Sequence, residues 1–250
     1  MTAGAVMRTV LLLVLVAFLV TPQSFAPVFE PLTRYGAPAI YAQGSLVDIT
    51  LSHLGITLVA TLAATLVAVG LAIVVTRPFG AEFLPLSRSI SHIGQTFPPV
   101  AVLAMAVPVL GFGTEPTLVA LFLYGLLPIF ENAIAGLSGV SREVREAARG
   151  MGMTGWQRLA RVELPLALPV MLTGIRVSAV IALSTATIGS TVAAKTLGEV
   201  IIAGLTTNNT AFVLQGGLIV GALAILINDG LMALERLLRR RNGLADTTAR

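Results

Sequence analysis

From Leu51 to Val75 the chain runs without a single Asp, Glu, Lys or Arg. As a helix, rising about 1.5 Å per residue, that stretch is longer than the roughly 30 Å hydrocarbon core of a bilayer. A soluble domain would have to hide it completely, and similar runs follow it. Apolar residues make up 56% of the 250 residues and charged ones only 11%, against roughly 25% charged in ordinary soluble proteins. So few charges cannot cover the surface of a soluble domain of this size, and a chain this apolar does not stay disordered. There is no cysteine, which excludes disulfides, thiolate catalysis, iron–sulfur clusters and cysteine zinc sites. Two histidines, His53 and His92, are too few for a multi-histidine metal centre. The chain reads as an all-α, polytopic membrane protein.

Six spans are expected: Val10–Val20, Leu51–Val75, and about Ile90–Leu110, Thr117–Leu137, Pro169–Ala193 and Phe212–Leu237. The first is short. With Arg8 ahead of it and Ser24-Phe25-Ala26 behind, it suits an uncleaved first helix, the reading adopted here, or a cleaved signal peptide. The third is interrupted by Pro98, Pro99 and Pro108. Broken helices persist in membranes where they are buried or line a cavity, so this span is a candidate wall of a transport path, with Gln95, Pro98 and Pro99 on it. Basic residues cluster at Arg8, at Arg77 and Arg88, between Arg142 and Arg161, and from Arg236 to the end. These places alternate across the spans, leaving Arg34 and Lys195 on the other side, so the positive-inside rule predicts two cytoplasmic termini. The net charge of +4 is then an orientation signal. Scattered arginines without an aromatic platform do not make a nucleic-acid surface. The expected division is residues 1–50 (first helix and external loop), 51–238 (transmembrane domain) and 239–250 (a short tail).

Residues 138–168 are polar, arginine-rich and yet helically ordered. Val140, Val144, Ala147, Ala148 and Met151 recur at helical spacing, Ser141 is a candidate N-cap, and Gly150 and Gly152 end the helix. Thr154 and Gln157 form a capping box for a second short helix, which Pro165 should end or kink before Pro169 leads into the fifth span. Glu146 is spaced to pair with Arg142 or Arg149. By itself such a loop would suit the lipid surface or the groove of a soluble partner equally well.

Glu146-Ala147-Ala148, three residues, Gly152, nine residues, then Val162-Glu163-Leu164-Pro165 resembles the EAA motif of binding-protein-dependent ABC importer permeases, with Val162 in place of the usual isoleucine. The resemblance spans about residues 51–238. Gln95-Thr96-Phe97-Pro98-Pro99, Tyr124-Gly125-Leu126-Leu127-Pro128-Ile129 and Glu163-Leu164-Pro165-Leu166-Ala167-Leu168-Pro169 are similar to the osmoprotectant branch, whose members import glycine betaine, choline and carnitine. It implies a type I importer fold in the plasma (inner) membrane. It also implies a second permease subunit, cytoplasmic ABC ATPase subunits and an extracytoplasmic solute-binding protein. Residues Glu146, Ala147, Ala148, Gly152, Leu164 and Pro165 would then couple to the ATPase. The family commonly carries G-x-G-G-L-G after the fifth span. Here the segment is Ala193-Ala194-Lys195-Thr196-Leu197-Gly198, and the added charge of Lys195 disfavours a purely cationic solute while tolerating a zwitterion.

Several patterns carry no chemistry. Gly150–Gly155 fits G-x-G-x-x-G but lacks the strand a dinucleotide site requires, and no Walker A sequence occurs, so the chain is not expected to be an enzyme or to hold a cofactor. Gly217 and Gly221 form G-x-x-x-G, which serves packing within the subunit or pairing with a second one. Arg176 is placed to pair with Glu131 or Asp229 across the spans. The hydroxyls of the fifth span, Thr185 and Thr187 among them, line a wet path or bond back to their own helix. With Trp156 in the cytoplasmic loop and only Tyr35, Tyr41 and Tyr124 elsewhere, no aromatic cage for a quaternary ammonium is evident, so selection is expected mainly in the binding protein. The rival readings are a permease for another small solute such as an amino acid, a stand-alone secondary transporter or channel, and a membrane-embedded enzyme. The third lacks any nucleophile–base or metal set.

Overall fold

The computed structural model describes residues 3–34 and 36–241. Tyr35 and the tail beyond Arg241 lie outside them. Among the described residues every regular element is helical. In chain order these are α1 (Ala3–Val20), α2 (Ala26–Phe29), α3 (Leu46–Val75), α4 (Leu84–Thr96), α5 (Pro99–Leu110) and α6 (Thr114–Ser138). They continue with α7 (Arg142–Gly150), α8 (Gly155–Arg158), α9 (Leu164–Ala186), α10 (Gly198–Thr206) and α11 (Thr210–Arg241). Four runs are long and apolar enough to cross a bilayer alone: Leu46–Val75, Thr114–Ser138, Gly155–Val192 and Thr210–Arg241. Two more helix pairs reach that length only across a sharp break, Gly4–Val20 with Pro22–Leu32 and Ala81–Thr96 with Pro99–Leu110. The six expected spans thus correspond to four helices that can cross alone and two sharply bent pairs, each a broken span or a re-entrant loop.

The break after α4 has a local cause. Phe97 precedes a proline, which pushes its backbone out of the helical region, and it is extended at φ −88°, ψ 141°. Pro98 has no N–H to continue the ladder, and Pro99 opens α5, a position where the missing donor costs nothing. Pro108 stays inside α5. The short α10, between the fifth and sixth spans, has no counterpart among the expected elements.

The chain forms two compact units, and α3, α6, α9 and α11 each contribute to both. Unit 1 comprises Met1–Val59, Pro99–Leu121 and Ala182–Ile227. Its core joins Leu15 and Phe18 of α1 to Phe29, Tyr41, Leu197, Phe212 and Ile219. Phe18 stacks on Phe29 with centroids 5.5 Å apart, and Phe25 meets it edge-on at 5.2 Å. Arg34 belongs to this unit, as does Lys195. Unit 2 comprises Ala60–Pro98, Phe122–Ile181 and Asn228–Arg250. Its core is built on Ala64, Ala68 and Ala72 of α3, packed with Ile129, Phe130, Ala133, Leu137 and Met171.

On this part of α3 the usual order of a soluble helix is reversed. The alanines are fully buried, whereas Leu62 and Leu66 are exposed. Lipid tails are as apolar as leucine, so large side chains gain little by turning inward. Alanines every fourth residue instead let neighbouring helices approach closely, where dispersion does the holding.

Two arginines of unit 2 find partners within the unit. Arg88 makes two bonds to Glu131, Nε to Oε1 at 3.0 Å and Nη2 to Oε2 at 3.3 Å. Arg176 therefore does not take Glu131 as partner. It donates to Asn228 Oδ1 at 3.3 Å, and Asn228 in turn donates to Asp229 at 3.2 Å.

Candidate functional site

The loop between α6 and α9 belongs wholly to unit 2. Its first helix, α7, begins where Ser141 Oγ accepts the Val144 N–H at 3.4 Å. The carboxyl of Glu143, in the first turn, is held below its ordinary value by its own backbone N–H and then by the Ser141 hydroxyl. Glu146 pairs with Arg142 at 2.6 Å. Both side chains are largely exposed, so the pair contributes only a few tenths of a kcal/mol.

The end of α7 gives the motif's spacing a physical meaning. Gly152 N–H bonds the Arg149 carbonyl at 3.0 Å, and Met153 N–H bonds the Ala148 carbonyl at 3.2 Å. These are the two bonds of a Schellman C-cap, which needs a left-handed residue four positions after the third-from-last helical residue. That residue is Gly152, at φ +77°. Ala148, buried, and Gly152 are thus the two fixed points of one helix stop, and only glycine adopts that φ without strain. Thr154 and Gln157 then make the expected reciprocal box, at 2.9 and 3.3 Å, and start α8.

Beyond α8 the structure departs from expectation. The helix does not end at Pro165. A π-helical turn, Leu159–Glu163, leads directly into α9, with Leu164 N–H bonding the Leu159 carbonyl. The wider turn accommodates the proline, which has no N–H to give. Leu164 and Pro165, both half-buried, occupy the first turn of α9, which starts five residues before Pro169.

Glu163 is 3% exposed and forms an ion pair with Arg77. Arg77 lies just past the end of α3, so the pair ties the loop to that helix within unit 2. Sequence reasoning identified Glu163 as part of the motif but gave Arg77 no partner. The available signal was a lone arginine immediately after an uncharged span. Arg77, Arg142, Arg145, Arg149, Arg158, Glu146 and Glu163 border one cavity of about 310 Å³.

The apolar stripe expected on this loop divides. Val140 and Ala148 are buried, while Val144, Ala147 and Met151 face outward. Met151 is 69% exposed and Trp156 74%. The loop is thus fixed on its inner side and presents an apolar, arginine-flanked outer surface.

The residues expected along a path fall in different places. Gln95, in unit 2, donates to the Tyr124 carbonyl at 3.2 Å, and the Tyr124 hydroxyl donates to the Phe97 carbonyl beside Pro98. Pro99 opens α5 in unit 1. Thr185 and Thr187 also belong to unit 1. Thr187 bonds back to the Ser184 carbonyl at 2.7 Å, and Thr191 does the same to Ile188 at 2.7 Å, so part of the hydroxyl character satisfies the helix end. Neither unit gathers Gln95, Pro98, Pro99, Thr185 and Thr187 into one cluster.

In unit 1 a histidine that sequence reasoning left without a role organises the segment after α9. His53 is fully buried. Its Nδ1 accepts the Leu197 N–H at 3.3 Å, leaving Nε2 to donate to the Leu183 carbonyl at 3.0 Å. Among the described residues no group of three or more His, Cys, Asp or Glu is arranged to hold a metal ion.

Comparison with known proteins agrees with this architecture. The chain is 42% identical over 181 residues to the osmoprotectant import permease protein OsmY of Salmonella typhimurium, covering 72% of this chain and 76% of that protein. It is 37% identical over 193 residues to the glycine betaine/carnitine/choline transport system permease protein OpuCB of Bacillus subtilis, covering 77% and 88%. Among solved structures, a chain of the inward-facing MetNI methionine ABC transporter superposes with a TM-score of 0.68 at 21% identity, over 77% of this chain and 95% of that one. That likeness establishes the fold. Residues 68–243 match the family described as binding-protein-dependent transport system inner membrane component, and the chain, a multi-pass permease subunit, belongs to that family.

Proposed function

We propose that this chain is the permease subunit of an ATP-driven importer for a compatible solute, glycine betaine or a related quaternary amine. The observation that carries the reading is the loop of residues 138–168. It is capped at each helix start, locked by Gly152, anchored to α3 through Arg77–Glu163, and apolar on its outer side. An element that transmits a push must be stiff toward its own bundle and accessible to its partner, and this loop is both. Glu146, Ala147, Ala148, Gly152, Leu164 and Pro165 form or brace that element, which docks on a cytoplasmic ATPase. ATP hydrolysis belongs to that partner, and this chain makes and breaks no bonds.

The solute class rests on the relatives named for osmoprotectant, glycine betaine, carnitine and choline transport. Both termini are cytoplasmic by the distribution of arginines, and an extracytoplasmic binding protein delivers solute to the other face. Alternating access carries it past Gln95, the Pro98–Pro99 break, Thr185 and Thr187. A second permease subunit completes the pathway. The Gly217 and Gly221 face of α11 supports pairing: both glycines are exposed, and a Cβ at either would meet nothing within 4 Å of its own chain.

Co-purification tests the reading. Tagged protein, expressed with its genomic neighbours and extracted in mild detergent, should bring an ATPase with it. Gly152→Trp, present in the membrane at normal yield, should lose it. A well-folded wild type that carries no ATPase across several detergents would contradict the proposal.

A further inference from the structure

In the segment where this chain departs from the family's glycine-rich pattern, Ala193 to Gly198, the first three residues border a cavity of about 440 Å³ in unit 1. That volume lies within the roughly 300–1,000 Å³ typical of small-molecule sites. Gln43, Ser190, Lys195, Glu199 and Ile202 are among its walls. The segment follows the end of α9 opposite the loop of residues 138–168.

The cavity is built on fixed backbone. Ala193 adopts a left-handed φ of 65°. Ser52 Oγ donates to the Lys195 carbonyl at 2.7 Å, His53 receives the Leu197 N–H, and a Cβ at Gly198 would overlap the Thr187 carbonyl. The carboxylate of Glu199 is also held, since the Tyr41 hydroxyl donates to Oε1 at 2.8 Å. Tyr41 is buried, its ring meets Phe212 edge-on at 5.5 Å, and its own N–H is taken by Gln215 Oε1 at 3.1 Å. Burial, and then the neighbouring Glu199, push the Tyr41 hydroxyl above its ordinary value, so it remains a donor. Lys195 and Glu199 thus share one cavity, and no ion pair joins them among the described residues.

A carboxylate and an ammonium that border one cavity without pairing to each other complement a molecule that carries both charges. We propose that Lys195 and Glu199 form a solute-contact site in the permease for zwitterions. Lys195 takes the solute's carboxylate and Glu199 faces its ammonium. The inference rests on the importer reading above and adds to it a place where the permease itself contacts the cargo.

The test uses the complete complex, permease with its ATPase and binding protein, reconstituted in liposomes. Glycine betaine uptake is measured at saturating binding protein. Lys195→Gln and Glu199→Gln should each lower the maximal rate about tenfold, as expected when a charge-assisted contact is lost. Docking of the binding protein should stay within about twofold, and Lys195→Arg should retain at least about half the rate. Wild-type rates in both neutral variants would overturn the site. So would a loss in Lys195→Arg as deep as in Lys195→Gln, or a loss of rate that tracks a loss of binding-protein docking. A wild-type complex that moves no zwitterion would overturn the importer reading itself, and this inference with it.

Discussion

At the scale of single residues, the buried ion pair of Arg77 and Glu163 makes the sharpest claim. Removing one partner strands the other's charge away from water, which costs roughly 3–5 kcal/mol in a fully buried pair. The Arg77 side chain is 22% exposed, so the expected loss for Arg77→Met or Glu163→Met is nearer about 2 kcal/mol. Replacing both removes the stranded charge. Thermal unfolding in detergent should therefore show each single variant clearly destabilised and the double variant close to wild type. Equal losses in single and double variants would mean that packing, not charge, holds the loop. The site was only partly legible at this scale. The Ser141 cap and the Thr154–Gln157 box are contacts over three residues, so the sequence displays them directly. Arg77–Glu163 and Arg88–Glu131 join residues far apart in the chain; the position of Arg77 after an uncharged span marks it as notable, but no spacing names its partner. Arg176 was assigned a carboxylate by charge alone, but Arg88 occupies Glu131 and an amide, Asn228, receives Arg176.

At the scale of elements, hydropathy located the four helices that are long enough to cross alone and the two bent pairs, because lipid demands long apolar runs. The ends were less legible. Alpha-helical capping rules place a boundary at Pro165, yet a π turn lets the helix continue through it, and α10 is short enough to pass for a loop. The Pro98–Pro99 break was legible because proline's effect is confined to its own residue and the one before. The glycines of α11 make an element-scale prediction. If their exposed face meets a second subunit, Gly217→Ile and Gly221→Ile should leave the unfolding midpoint of the separated subunit within about a degree, since both positions are exposed and a Cβ at either meets nothing within 4 Å. The same variants should shift the detergent-solubilised protein toward the single-subunit form on size-exclusion chromatography with light scattering. Unchanged pairing would remove this face from the subunit interface.

For the molecule as a whole, composition fixed the environment and the spaced motif fixed the family, because the motif records a helix stop, Ala148 to Gly152, and an anchor at Glu163. The surroundings of the charges were not legible: Lys195 appeared only as an isolated positive charge, and the fold was required to show that Glu199, four residues on, is held by Tyr41 and borders the same cavity. The central claim is that this chain moves solute only when driven by a partner's ATP hydrolysis. Uptake of labelled glycine betaine into liposomes holding the purified complex tests it most directly. Uptake should require both ATP inside the compartment facing the ATPase and the binding protein on the opposite face, and an imposed ion gradient should not replace ATP. Gradient-driven uptake by this chain alone would contradict the account.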